Sequence, residues 1–249
     1  MTLPASFLTG GHIAHRGLHG PGRPENSMDA FRAALDLGIP IELDVQPSAD
    51  GVAMAFHDNH MRRLTGLDLL VDSLDADALG GTALRGGNGG VPRLSQVLDL
   101  VAGRVPLLIE VKDRDGAMGP DVGPLEAAVI ADLARYDGDV AVMSFNPHAV
   151  ACFQRDAPHL PRGLVTAAFR AEHWPDLSAE TRARLARIPD IDRLGASFIS
   201  HEAAALDMPR VAEIKATGLP ILCWTVRSRA EELRARRVAD AVTFEGYLP

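Results

Sequence analysis

Glu42 and Asp44 stand two residues apart in an otherwise apolar run, Ile41-Glu-Leu-Asp-Val45. Carboxylates are almost never buried without a partner, so acids inside strand-like sequence call for a cation. Glu110 interrupts a second apolar run, Leu107-Leu-Ile-Glu-Val111. Oxygen-rich donors of this kind suit Mg²⁺ or Ca²⁺. An ion pair with Arg16 or Lys112 is the plainer account of one such acid; three acids on two strands favour a metal. His15 is followed by Arg16-Gly17, and His57 by Asp58. Two histidines beside three carboxylates make a candidate acid–base pair, with Asp58 orienting His57 and stabilising its protonated form. Arg16 and Lys112 adjoin these residues. Arginine can grip a phosphate with two parallel hydrogen bonds, and lysine adds a point charge. Trp224 ends an apolar run and reads either as a pocket wall or as a core or rim tryptophan. His12, His19, His60, His148, His159, His173 and His201 have no comparable neighbours and read as structural or exposed.

Short apolar runs alternate with amphipathic stretches along the chain, the pattern of an α/β fold. Strands are expected at residues 13–14, 39–45, 52–56, 105–111, 140–144, 163–165, 196–199, 219–224 and 241–244. Helices are expected at 27–37, 94–101, 124–135, 147–155, 179–188, 209–217 and 229–236, several opened by a cap or early proline such as Asn26, Ser95 and Pro147. The link Gln46–Gly51 is too short for a parallel crossover, which needs a dozen or more residues. Asp50-Gly51 is instead a hairpin signal. The strand at 52–56 should therefore fold back antiparallel, leaving eight for a closed TIM-like (β/α)₈ barrel. With Asp50-Gly51 as the loop, His57 falls opposite Asp44; with a loop of Ala49 to Gly51 it is expected opposite Glu42. Either register is expected to put Glu42, Asp44 and His57 on one face. In a parallel barrel, acids at the C-terminal strand ends converge on the active face.

The chain of 249 residues suits one domain, 1–249, with residues 59–92 as an irregular insertion loop rich in paired glycines. A net charge of −8 argues against a sequence-independent nucleic-acid binder but leaves room for a small phosphorylated ligand. Cys152 and Cys223 lack paired spacing and read as small core residues. The sequence lacks a recognisable leader or a membrane-length apolar run, so a soluble cytoplasmic protein without stable membrane insertion is expected. Oligomeric state cannot be read from it.

Assembled in order, His15-Arg-Gly17, Pro24-Glu-Asn-Ser27, Ile41-Glu-Leu-Asp-Val45, Asp50-Gly51, His57-Asp58, Arg63-Leu-Thr-Gly66 and Ile109-Glu-Val-Lys112 resemble the glycerophosphodiester phosphodiesterases. Ser144-Phe-Asn-Pro147 and Trp224-Thr-Val226 extend the likeness over nearly the whole chain. The resemblance implies hydrolysis of glycerophosphodiesters to sn-glycerol 3-phosphate and an alcohol. It implies His15 and His57 as the acid–base pair, Glu42, Asp44 and Glu110 as metal ligands, and Arg16 and Lys112 as phosphate contacts. Two departures stand out. The family commonly ends in an Ile-Thr-Asp-x-Pro segment, whereas this chain reads Val242-Thr-Phe-Glu245, making Glu245 the candidate stand-in for the aspartate. The insertion after His57-Asp58 is also short, which leaves substrate preference open.

The expected chemistry is charge neutralisation by the metal, Arg16 and Lys112, with one histidine deprotonating the nucleophile and the other protonating the departing alkoxide. The nucleophile is water or a glycerol hydroxyl of the substrate. A phospholipase D-like hydrolase of lysophospholipids would use the same site, and an apolar groove near residues 59–92 would favour it. A non-catalytic phosphodiester-binding protein is the alternative from another class. A barrel aldolase or isomerase would need a Schiff-base lysine or a sugar-phosphate site, and neither is evident.

Overall fold

The computed structural model describes residues 2–249. Its strands are β1 (His12–Ala14), β2 (Ile41–Pro47), β3 (Ala53–Ala55), β4 (Leu107–Val111), β5 (Val140–Ser144), β6 (Arg162–Thr166), β7 (Phe198–Glu202), β8 (Ile221–Val226) and β9 (Ala241–Phe244). Eight of them form a closed parallel barrel in the order β1-β9-β8-β7-β6-β5-β4-β2, sealed by pairing between β1 and β2. The helices are α1 (Met28–Asp36), α2 (Arg62–Thr65), α3 (Ala76–Gly81), α4 (Leu94–Val101), α5 (Pro124–Leu133), α6 (Pro147–Asp156), α7 (Ala179–Ala186), α8 (Ile191–Leu194), α9 (Pro209–Ala216) and α10 (Arg229–Ala235). This is the TIM-like barrel expected from the alternation. Among the described residues, no helix is long and apolar enough to cross a membrane.

Side chains alternate across each strand, and the two faces carry different chemistry. Ile41, Leu43 and Val45 face the helices, in one continuous layer with Leu107, Ile109, Val142 and Ile199. Inside the barrel, Ile13, Leu108, Ala141, Phe198 and Leu222 fill the lower half together with Phe7 from the N-terminal turn. Gly163 belongs to this interior. A Cβ there would run into the Phe198 ring, so glycine is what admits that ring. The upper half is polar, because the inward positions of β2 and β4 become Glu42, Asp44 and Glu110 towards the strands' C-terminal ends.

β3 runs antiparallel to β2, as its short link demands, and its loop is the longer of the two expected, but His57 does not fall where that loop was expected to put it. Val45 faces Ala55, Gln46 faces Met54 and Pro47 faces Ala53. The Ser48 amide donates to the Val52 carbonyl, so the loop is Ala49 to Gly51. Counted on from these pairs, the three-residue loop places His57 across from Leu43, on the outer face; the Glu42 position expected for that loop was one residue off. Alternation alone would therefore have turned His57 away. It reaches the barrel mouth because the ladder ends at Ala55 and the chain turns out of the strand.

The stretch after His57 is also more ordered than its glycine content suggests. Met54 and Phe56 pack with Met61, Val71, Ala76, Leu79, Leu84 and Val91 into a small apolar cluster beneath α2 and α3. Helices of four and six residues span too few turns for their periodicity to be visible in sequence.

Candidate active site

The site begins with a strained turn. Arg16 and Gly17, directly after β1 and His15, have φ of 54° and 76°. A side chain at Gly17 would put its Cβ 2.9 Å from the Ala30 backbone. Only a glycine here lets the turn sit against α1, and the turn aims Arg16 inward. The Arg16 amide donates to Glu42 Oε2 at 2.9 Å. Its guanidinium lies 3.1 Å from Asp44 Oδ2 and 2.6 Å from Glu25 Oε1.

Glu42, Asp44 and Glu110 form one buried group. Asp44 and Glu110 are paired neighbours on β2 and β4, and an oxygen from each of the three acids lies within 4.8 Å of the others. Lys112 Nζ bridges Asp44 Oδ1 at 2.8 Å and Glu110 Oε1 at 2.5 Å. Burial and the repulsion of Asp44 and Glu110 push Glu42 well above the ordinary carboxylate range. Burial acts on Asp44 in the same direction, but Lys112, His57, Arg16 and His15 outweigh it and hold Asp44 well below that range. Burial opposes the charge on Lys112, yet Asp44 and Glu110 keep it protonated. Three acids thus share two cations, and Arg16 is divided further with Glu25. Hard oxygen donors with uncompensated negative charge fit a Mg²⁺- or Ca²⁺-sized divalent ion.

Asn26 is not the cap of α1; Ser27 is, its hydroxyl accepting from the Ala30 amide. Asn26 instead adopts φ 54°, a conformation asparagine tolerates. From there its side chain clasps Asp44, donating to Oδ2 at 2.9 Å and accepting from the Asp44 amide at 3.2 Å. Similarly, the cap position of α4 is Arg93 rather than Ser95.

His57 is held by two contacts of its own and one of its neighbour Phe56. The Phe56 amide donates to the Asp44 carbonyl, Gln46 Nε2 donates to the His57 carbonyl at 3.0 Å, and His57 Nδ1 lies 2.7 Å from Asp58 Oδ1. Arg63 on α2 pairs with both Asp58 and Glu25 at 2.7 Å. Burial raises the Asp58 pKa, but His57 and Arg63 more than reverse the effect. A chain of polar contacts therefore runs from His57 to Asp58 and on through Arg63, Glu25 and Arg16 to Asp44.

His15 sits on the other side. Its Nδ1 lies 2.5 Å from Glu245 Oε2, and Arg227 holds Glu245 Oε1 at 2.8 Å. Burial lowers the His15 pKa and the Glu245 hydrogen bond only partly offsets it, so His15 is neutral near pH 7. Glu245 is held far below its usual range, first by its hydrogen bond to His15.

A cavity of about 850 Å³ opens beside His57, Glu110 and Lys112, walled by Met118, Phe145, Trp174 and Leu177. Trp224 lies outside that wall. It donates to the Ser200 carbonyl at 3.0 Å, packs edge-on against Phe145 and lines an adjoining cavity with Trp174 and Arg227. Asn146, the cap of α6, donates to Asp113 Oδ1 at 2.7 Å and steadies the loop after Lys112. Sequence reasoning missed Glu25, Asn26, Arg63 and His19 as neighbours of the site. Their motifs were visible, but the contacts join distant parts of the chain. His201, by contrast, is buried between Thr166 and the Ala205 carbonyl, away from this chemistry.

The model of the Glycerophosphoryl diester phosphodiesterase family matches residues 15–244. A glycerophosphodiester phosphodiesterase of Bacillus altitudinis is 30% identical over 192 residues, covering 74% of this chain and 76% of its own. Another, from Bacillus subtilis, is 27% identical over 247 residues, covering 92% of this chain and 79% of its own. Among solved structures, an Oleispira antarctica phosphodiesterase in complex with the product sn-glycerol-3-phosphate shares the fold. Its TM-score is 0.77 at 24% identity, over 94% of this chain and 92% of that one.

Proposed function

The chain belongs to the glycerophosphoryl diester phosphodiesterase family, and from that membership we propose that it hydrolyses glycerophosphodiesters to sn-glycerol 3-phosphate and an alcohol. One observation carries the reading: three buried carboxylates, two cations and two carboxylate-backed histidines converge at one barrel mouth. Glu42, Asp44 and Glu110 would hold the divalent ion, and Mg²⁺ and Ca²⁺ both suit them. Bound there, it supplies positive charge against the phosphodiester.

The remaining roles follow from the side chains. Lys112 spends two of its three N–H donors on Asp44 and Glu110. Its third, with the unused guanidinium edge of Arg16, is free for phosphate oxygens. His15, neutral and oriented by Glu245, takes the proton of the nucleophile, whether water or the substrate's own glycerol hydroxyl. His57, backed by Asp58, gives a proton to the departing alkoxide. His57 lines the larger cavity and His15 does not, so the alcohol departs into that cavity. Trp224 walls the adjoining part of the substrate site.

The test is release of sn-glycerol 3-phosphate from glycerophosphocholine, assayed with added Mg²⁺ or Ca²⁺ and after chelation. Turnover should require the ion and collapse in Glu42→Ala. No product with either ion would overturn the proposal.

A lysophospholipid substrate has specific support. The cavity wall of Met118, Phe145, Trp174 and Leu177 is apolar, and Leu67, Leu69 and Leu70 stand exposed on the neighbouring insertion. Preference for a lysolipid over its deacylated diester would establish that reading; the reverse preference would exclude it.

A further inference from the structure

His19 takes no part in the chemistry above, yet its position is unusual. Its Nε2 is shielded from solvent without a hydrogen-bond partner. That nitrogen points at Glu245 Oε2 from 3.5 Å, and the same oxygen faces His15 Nδ1 at 2.5 Å. His15, His19 and Glu245 each offer a ligand atom within 4.8 Å of the other two. Arg227 occupies the second Glu245 oxygen, which leaves Oε2 directed at the histidines.

We propose that His15, His19 and Glu245 form a second metal site, selective for a borderline transition ion such as Zn²⁺, whose occupation shuts the enzyme off. Two imidazole nitrogens and one carboxylate oxygen are ligands for Zn²⁺; Mg²⁺ and Ca²⁺ prefer oxygen and belong with the Glu42, Asp44 and Glu110 trio. Tetrahedral bonds of about 2.1 Å place donors roughly 3.4 Å apart. The His19–Glu245 separation already has about that value, and the His15–Glu245 pair need only open by about 1 Å once the proton between them shifts to His15 Nε2. With the ion on His15 Nδ1, the single proton of the neutral ring sits on Nε2, so no lone pair is left to accept the nucleophile's proton. The inhibitory effect rests on the proposed role of His15; the binding site itself does not.

Zn²⁺ is titrated into wild-type protein and His19→Gln at saturating Mg²⁺, with glycerophosphocholine turnover as one readout. Co²⁺ absorption in the visible is the other. His19→Gln should keep basal turnover, lose the Co²⁺ bands and need at least about ten times more Zn²⁺ for half inhibition. In the wild type, added Mg²⁺ should not relieve the inhibition. Equal Zn²⁺ sensitivity in the two proteins would overturn the proposal, as would relief by Mg²⁺, which puts the ion on the carboxylate trio. If glycerophosphocholine is not turned over at all, the Co²⁺ spectrum decides alone: imidazole-type bands present in the wild type and absent in His19→Gln support the site, and their absence from both refutes it.

Discussion

His15 and His57 differ in what stands behind them. Glu245 raises the His15 pKa against the burial that lowers it. The acidic limb of kcat/KM should therefore lie below the ordinary imidazole value of about 6.5. Glu245→Gln removes the raising partner, so that limb should move to still lower pH, while kcat falls about 10-fold or more through lost orientation. A limb that moves upward would contradict the role given to Glu245. Lys112→Ala leaves Asp44 and Glu110 without their shared cation and should cut turnover by about 100-fold or more, measured at saturating metal. At this scale the sequence was informative about types. Acids inside apolar strands and histidines beside glycine or aspartate turns mark themselves. It was silent about Arg63 and Glu25, which reach the site through two loops, and about the orphaned nitrogen of His19.

The turn after β1 and the loop before α1 aim the charges, and each has its own signature. Gly17→Ala forces a left-handed alanine into the Ala30 backbone, so it should cost about 1–2 kcal/mol of stability and lower turnover. Asn26→Ala and Ser27→Ala are neighbours with opposite expectations. Losing the Ser27 cap should cost about 1 kcal/mol in chemical denaturation with little change in kcat. Losing Asn26 frees Asp44 and should lower kcat directly. Element type and order were legible because buried parallel strands read as apolar runs and helices as a 3.6-residue period. Register was not. One residue of loop length moves every later side chain to the other face, and the exit of the chain from β3 at Ala55 depends on Phe56 seeking the cluster under α2 and α3.

Closure of the barrel joins the two ends of the described chain. Glu232 on α10 is 2% exposed and meets His12 on β1, Arg229 and Arg236 at 2.7 Å, and Tyr247 beyond β9 at 3.2 Å. Burial raises its pKa, but Arg236, His12 and Arg229 prevail and pull it down to about 2. A carboxylate depressed on folding stabilises the native state above its unfolded pKa. That contribution disappears as pH falls from about 4.5 towards 2. Glu232→Gln should therefore lose about 2 kcal/mol at pH 7, and its deficit against wild type should vanish across that interval in urea titrations. The closed eight-stranded architecture was readable from the count of strands and the impossibly short Gln46–Gly51 crossover. The contact of His12 with Glu232 across the seam was not, since it joins residues 220 positions apart. The proposed metal dependence and the proposed role of His57 as the acid for the leaving alcohol can be tested together. The most direct measurement compares sn-glycerol 3-phosphate release from glycerophosphocholine by wild type and His57→Ala, each with Mg²⁺ and after chelation. Wild type should turn over only with the ion, and with Mg²⁺ His57→Ala should be slower by about 100-fold or more. Equal rates for the two proteins with Mg²⁺, or wild-type turnover that survives chelation, would contradict the account.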